Sequence, residues 1–129
     1  MNTITIQRTT NSPDILLDPK KGIIEIKGAS FLEDSSAFYS PILDWVAEYV
    51  KSPVATTVHV ELTYFNSSAA KLLLTIFKIL GAIEKKNISL TVNWSYSEDD
   101  EDIRDSGHDF SKLSGIKFNM IENDEPERD

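Results

Sequence analysis

The pattern of the sequence changes at residues 64–71, Tyr64-Phe65-Asn66-Ser67-Ser68-Ala69-Ala70-Lys71. Before this stretch, Val58, Val60 and Leu62 alternate with polar residues, which is typical of a strand with one buried face. After it, apolar residues recur at helical spacing and predict a helix over 68–86. The predicted apolar stripe consists of Ala69, Leu72, Leu73, Ile76, Leu80 and Ile83. A strand that runs directly into such a helix favours an α/β fold.

The junction between this strand and this helix carries the polar residues that are the main candidates for a functional role. A helix start gathers unpaired backbone N–H groups and a partial positive charge. A hydroxyl of Ser67 or Ser68 there can cap the helix beside Asn66, and it can also carry a phosphate. A plain cap is the simpler interpretation of the pattern, and the two roles are compatible. Lys71, one turn later, lies where it could meet such a phosphate.

Upstream of the junction, the sequence predicts strands followed by one helix. Ile4 and Ile6 predict a short strand, residues 14–27 a hairpin, and residues 28–34 a loop. Ser40 and Pro41 have the residue types of an N-cap and a first helical position. The predicted buried face of this helix consists of Ile42, Trp45, Val46, Tyr49 and Val50. We also expect the aromatic side chains of Tyr39, Trp45, Tyr49 and Trp94 to lie mostly in the core.

Downstream, strand and helix signals continue to alternate. Residues 88–94 predict a strand, the acidic residues 98–105 a short helix or turn, and residues 116–120 a last strand. Residues 122–129 are charged and contain a proline, so we expect an acidic, flexible tail after one domain over residues 1–121. The order of elements favours a mixed sheet with helices packed on it.

Composition narrows the class of protein. The chain has 129 residues, a net charge of -8 and no cysteine. The negative charge argues against binding to nucleic acid or to an anionic membrane surface, because both would repel it. The first residues lack the basic and apolar segments of a signal peptide, and no stretch reaches a membrane-spanning length. We therefore expect a protein of the cytoplasm that binds neither nucleic acid nor membrane.

The sequence lacks the usual combinations of catalytic residues. The two histidines, His59 and His108, lie on a predicted polar strand face and in a predicted loop, and there is no Gly-x-Ser-x-Gly motif. The acidic run 98–102 does not have the spacing of a calcium loop. Phosphate-binding glycine motifs are absent as well. We expect no enzyme activity, no cofactor and no metal site.

Several segments together resemble the SiaC family of bacterial regulatory phosphoproteins. They follow one another through nearly the whole chain, and in series they are specific although each alone is weak. The segments are Thr10-Asn11-Ser12-Pro13 with Asp18 and Gly22, Phe38-Tyr39-Ser40-Pro41-Ile42-Leu43-Asp44-Trp45, the junction 64–71, and Tyr96-Ser97-Glu98-Asp99-Asp100-Glu101-Asp102.

This resemblance implies a STAS-like α/β fold, similar to anti-sigma-factor antagonists, and a partner-switching protein without activity of its own. It implies a kinase with a histidine-kinase-like ATPase fold that phosphorylates a hydroxyl at the start of the long helix. It also implies a PP2C-type phosphatase and a diguanylate cyclase that the unphosphorylated form binds and activates. Cyclic di-GMP would then rise and favour aggregation or biofilm.

By the same resemblance, the phosphoacceptor is Ser67, framed by Asn66, Ser68 and Lys71. The family usually has threonine directly after the asparagine, and serine stands there in this chain. Ser68 is the alternative acceptor. The alternative function is a constitutive protein-binding scaffold in which both hydroxyls are only helix caps.

Overall fold

Strands with alternating apolar residues form one six-stranded sheet in the part of the chain that the structure, a computed structural model, describes, residues 1–123. The strands are β1 (Ile4–Ile6), β2 (Asp14–Asp18), β3 (Ile23–Ser30), β4 (Thr56–Phe65), β5 (Leu90–Ser97) and β6 (Phe118–Asn123). They lie side by side in chain order. The first three pair antiparallel, and the last four pair parallel. The expected mixed sheet is confirmed.

Each parallel pair of strands is connected through a helix. The helices are α1 (Ser35–Tyr49), α2 (Ser67–Lys85) and α3 (Glu101–Ser114). Since parallel crossovers are right-handed and the strands succeed one another in one direction, all three helices cover the same face of the sheet. Their starts consequently lie together at the carboxyl edge of β3, β4 and β5. Within residues 1–123, the other face of the sheet carries no helix.

The core lies between the sheet and the helices. In β4, Val58, Val60 and Leu62 are buried, as their alternation predicts. The apolar stripe of α2 is buried too, except that Leu72 is half-buried. Phe77, which the predicted stripe omitted, is fully buried, and its ring contacts those of Trp94 and Phe118. The aromatic residues expected in the core are all buried: Tyr39, Trp45, Tyr49 and Trp94.

The start of α1 differs from the prediction. The N-cap is Asp34, whose carboxylate accepts a hydrogen bond from the Ala37 N–H at 3.1 Å, and Pro41 lies inside the helix. Asp and Ser are both good caps, so the local signal at Ser40 competed with that at Asp34. Burial of Tyr39 favours the longer helix. Residues 28–30, expected in a loop, extend β3 instead.

α3 is also longer than expected, with 14 residues where the sequence predicted a short helix or turn. Its buried face is made by Ile103, Gly107 and Phe110. A Cβ atom at Gly107 would lie 2.4 Å from Cδ1 of Trp94, so only glycine fits this close approach. The glycine interrupts the apolar periodicity, and this is why the sequence did not reveal the helix.

The last strand extends past the expected domain boundary. Glu122 and Asn123 pair with Tyr96 and Ser97 in the parallel ladder of β5 and β6. The sheet therefore includes two residues of the segment expected to be a tail. The rest of that segment, residues 124–129, lies outside the described residues.

Candidate functional site

Asn66 organises the junction between β4 and α2. Its side-chain oxygen accepts a hydrogen bond from the Ala69 N–H at 3.0 Å, which makes Asn66 the N-cap of α2. Its amide Nδ2 donates to the Leu32 carbonyl at 3.2 Å, and its backbone N–H donates to the Ser30 carbonyl at 3.1 Å. The start of α2 is thus tied to the end of β3 and the loop that follows it.

Ser67 is the first residue of α2 and is exposed. Within residues 1–123, its hydroxyl has no hydrogen-bond partner and its side chain caps no backbone group. The capping role that the sequence allowed for this hydroxyl therefore belongs to Asn66. A hydroxyl in this position is open to a second protein.

Ser68 is held differently, although it is also exposed. Its Oγ lies 3.0 Å from Oδ1 of Asn66 and 2.9 Å from Oγ of Ser35. Ser35 is buried at the start of α1, and its own hydroxyl donates to the Leu32 carbonyl at 3.2 Å. The Ser68 hydroxyl therefore links the starts of α1 and α2. The sequence gives no local signal for this contact, because the two serines are 33 positions apart.

Lys71 follows Ser67 by one helical turn and is exposed. Side chains at positions i and i+4 share a helix face, and helical side chains lean towards the N-terminus. No carboxylate of the described residues pairs with the Lys71 ammonium. Its charge is therefore directed towards the same side of α2 as Ser67.

The electrostatics of the junction suit an anion on Ser67. The N–H groups of Ser67 and Ser68 make no backbone hydrogen bond inside the described part of the chain. These donors add to the partial positive charge of the helix start. The starts of α1 and α3 lie at the same edge, each with its own acidic cap, Asp34 and Asp100.

Beneath the junction, a buried hydroxyl pair supports the end of β3. The Tyr39 and Ser30 hydroxyl oxygens are 2.7 Å apart, and both side chains are fully buried. Burial raises the pKa of Tyr39 to about 12, since the phenolate would lose its hydration. The pair remains neutral at ordinary pH and holds the strand whose Ser30 carbonyl accepts from Asn66.

The two histidines are on opposite layers of the molecule. His59 is half-buried on the sheet face without helices, where its Nδ1 lies 3.4 Å from Nδ2 of Asn93. His108 is exposed on α3 and not in a loop as predicted. The structure does not bring them together with each other or with Ser67 into one catalytic group.

The acidic run 98–102 has structural roles of its own. Asp100 caps α3 by accepting from the Ile103 N–H at 3.1 Å, and Asp99 accepts from the Ser97 hydroxyl at 2.6 Å. Among residues 1–123, no group of three or more His, Asp and Glu side chains is arranged to hold a metal ion. In the same part of the chain, no helix has the length and apolarity to cross a bilayer.

The fold is a two-layer α/β domain, and an exposed serine hydroxyl without a hydrogen-bond partner among the described residues begins α2 beside the Asn66 cap. The family model described as SiaC family regulatory phosphoprotein matches residues 6–123, and the chain belongs to this family. The resemblance found in the sequence is confirmed.

The proteins that match this chain are distant in sequence, and the solved structures among them share its fold. An uncharacterized protein of Pseudomonas aeruginosa strain UCBPP-PA14 is 23% identical over 97% of this chain and 100% of its own length. The crystal structure of apo-SiaC from Pseudomonas aeruginosa superposes with a TM-score of 0.84 at 21% identity, covering 94% of this chain and 99% of the other.

A second similar structure is a complex. It is the crystal structure of the diguanylate cyclase SiaD with its activator SiaC from Pseudomonas aeruginosa, with a TM-score of 0.86, 21% identity, and coverage of 93% of this chain and 99% of the matched chain. These likenesses confirm the α/β fold with its mixed sheet.

Proposed function

We propose that this chain is a non-enzymatic switch protein whose phosphoacceptor is Ser67. The observation that carries the proposal is the exposed, unbonded hydroxyl of Ser67, next to an asparagine that already caps the helix. Ser67 can be modified without loss of a hydrogen bond. Modification of Ser68 would instead disturb its contact with Ser35.

The start of α2 can accommodate the phosphate. A phosphoserine adds about -1.5 to -2 charges at neutral pH, and a helix N-terminus stabilises negative charge. Lys71 supplies a cation on the same helix face. The phosphate would therefore change the surface of the protein and leave its fold intact.

The proposed partners follow from membership of the SiaC family. They are a kinase with a histidine-kinase-like ATPase fold, a PP2C-type phosphatase, and a diguanylate cyclase as effector. The unphosphorylated chain binds and activates the cyclase in the cytoplasm, so that cyclic di-GMP rises and favours aggregation or biofilm. The SiaC of Pseudomonas aeruginosa, described as the activator of the cyclase SiaD, supports this effector class.

In this proposal, phosphorylation weakens binding of the partner because the phosphate is strongly hydrated. A partner that covers the start of α2 must remove water from the new anion, and this desolvation is unfavourable unless each phosphate oxygen gains a donor. Partner switching of this STAS-like kind needs no change of fold. It needs only a docking surface that includes Ser67.

The acceptor is tested by phosphopeptide mapping across residues 66–71. The chain is incubated with ATP and the kinase of its own host, beside matched Ser67→Ala and Ser68→Ala variants. We expect one phosphate on the unmodified sequence and on Ser68→Ala, and none on Ser67→Ala. Full labelling of Ser67→Ala would disprove the assignment, and labelling confined to Ser68 would move it by one residue.

The effector is tested by cyclic di-GMP synthesis. Each diguanylate cyclase of the host is assayed with the unphosphorylated chain and with the phosphorylated chain. Activation by the unphosphorylated form alone is expected. Equal binding of one partner by both forms would instead support the constitutive scaffold, which the structural contact between Ser68 and Ser35 also fits.

A further inference from the structure

A β-bulge near the end of β4 reverses the direction of the side chains that follow it. The pairing of β3 with β4 passes from Gly28↔Leu62 directly to Ala29↔Tyr64, so Thr63 is the extra residue. Regular alternation after buried Leu62 would bury Tyr64; instead Tyr64 is 56% exposed. Phe65 turns towards the core, where its ring lies 5.7 Å from that of Phe110. Bulges of this kind commonly re-aim a side chain beside a functional site.

The re-aimed Tyr64 joins a second exposed aromatic side chain. The rings of Phe31 and Tyr64 meet edge to face with centroids 5.6 Å apart, and Phe31 is 39% exposed. Exposed aromatic side chains that are held in place bury a large apolar area on binding at little cost in entropy, and such residues dominate the energetics of protein interfaces. We call Phe31 and Tyr64 the aromatic pair.

On its other side, Tyr64 borders a groove of about 290 Å³ between the end of β4 and the start of α3. Phe65 and Ile103 contribute apolar surface, and Asp100 and Asp102 contribute carboxylates. An acidic concavity of about 310 Å³, lined by residues 98–102, adjoins the groove through these two aspartates. Among residues 1–123, no lysine or arginine lines either cavity. The complement of this surface is an apolar side chain next to basic ones.

We propose that the aromatic pair and the acidic groove form the docking surface for the effector, and that the effector presents an apolar anchor flanked by Lys or Arg. The inference rests on the proposed function and deepens it by naming the surface and the chemistry of the partner. Tyr64 is three residues from Ser67. A phosphate on Ser67 would lie beside the apolar part of the contact. There the apolar anchor of the partner offers no hydrogen-bond donors to replace the water that the phosphate loses.

The charge of the surface gives the contact a measurable salt dependence. Exposed charges separated by more than about 10 Å are largely screened at 0.1 M salt, so the attraction of a basic partner weakens as salt rises. The attraction also accelerates association more than it slows dissociation. Removing one carboxylate of the groove should therefore reduce the association rate and flatten its dependence on salt.

The test uses the diguanylate cyclase that the unphosphorylated chain activates in the preceding assay. Its dissociation constant and association rate are measured for the unmodified sequence, Tyr64→Ala, Asp102→Asn and Asp102→Lys between low and high salt. The matched controls are Leu113→Ala, which removes a side chain that is 60% exposed on α3, and Glu84→Lys, which reverses an exposed charge near the end of α2. Thermal unfolding verifies that each variant is folded.

We expect Tyr64→Ala to weaken binding by about tenfold or more. We expect Asp102→Lys to slow association severalfold, Asp102→Asn to do so less, and both controls to bind normally. Binding by Tyr64→Ala that equals binding by Leu113→Ala would overturn the docking surface and leave the proposed function standing. Loss of phosphorylation by the kinase with normal cyclase binding would assign the surface to the kinase and also overturn the inference. No cyclase activated by the unmodified sequence would overturn both proposals.

Discussion

Three consecutive polar residues at the start of α2 have three different environments. The Asn66 side chain caps the helix and the Ser68 hydroxyl contacts Ser35 of α1, whereas the Ser67 side chain does neither. The division follows from helix geometry, because the cap side chain of Asn66 accepts from the N–H of the third helical residue, Ala69, and the first helical residue, Ser67, is exposed. A change at the Ser67 hydroxyl should therefore leave the stability of the helix nearly unchanged.

The separation predicts unequal effects of two alanine substitutions on stability. Asn66→Ala should lower the free energy of unfolding by about 0.5–2 kcal/mol, because the cap and the bond to Leu32 are both lost. Ser67→Ala should change it by less than about 0.5 kcal/mol, as an exposed side chain without a partner. Urea denaturation of the two variants measures both values. Equal losses would mean that Ser67 takes part in the cap.

A second residue-scale prediction concerns alkaline pH. The folded pKa of Tyr39, about 12, lies above its unfolded value near 10, so the unfolded state loses its proton first. The stabilisation is fully present below pH 10 and is lost as pH rises towards 12, by roughly 1.4 kcal/mol per pH unit. Urea denaturation at pH 8, 10 and 11 should show this slope. It should be smaller in Tyr39→Phe, and an equal slope would assign the loss to other groups.

At the scale of elements, the two helices that differ from prediction are shaped by contacts distant in sequence. α1 starts six residues earlier than predicted, and its first turn holds Ser35, the partner of Ser68. α3 lies close to β5 through Gly107, which faces the Trp94 ring. The indole N–H of Trp94 in turn donates to the Ile103 carbonyl at 2.9 Å. A glycine that weakens the helix locally therefore allows its packing.

Two helical glycines provide a matched comparison. Gly107→Ala would place Cβ 2.4 Å from Trp94 and should destabilise the protein by about 1–3 kcal/mol. Gly81→Ala would place Cβ 4.0 Å from Ile116, an ordinary contact, and should stabilise α2 by about 0.5–1 kcal/mol. Thermal or urea unfolding of the two variants measures these changes. A stable Gly107→Ala variant would contradict the close packing of α3 on β5.

At the scale of the whole molecule, the topology places the proposed phosphoacceptor and the proposed docking surface together. Three successive right-handed crossovers bring the starts of α1, α2 and α3 to one edge of the sheet. Ser67, the aromatic pair and the acidic groove all lie at this edge. Since the core lies between the sheet and the helices, events at the edge can change binding without disturbing the core.

This arrangement predicts that phosphorylation preserves the fold. A phosphate on Ser67 would face solvent at a helix start, so the free energy of unfolding should change by less than about 1 kcal/mol. For a domain of this size, that corresponds to a shift in Tm below roughly 4–6 °C. Thermal unfolding before and after treatment with the kinase measures the shift. Unfolding at room temperature upon phosphorylation would mean that the switch acts by melting α2.

Much of the fold and part of the candidate site follow from the sequence. Strand and helix periodicities are local, and each apolar face must find another to bury against, so the order of elements predicts the mixed sheet with its helices. The apolar stripe of α2 and the strand β4 are predicted for the same reason. The strand-to-helix junction with Asn66, Ser67 and Ser68 is also visible, because cap residues act within one turn.

The sequence by itself determined the class of fold, the position of the junction and the family. Only the tertiary structure decided which polar residue caps α2, which serine is left free, and that Tyr64 points outwards after the bulge at Thr63. These outcomes depend on the register of β4 against β3 and on Ser35, which precedes Ser68 by 33 positions in the sequence. Contacts between residues distant in sequence leave no local period, so they arise only when the strands pair and the helices pack.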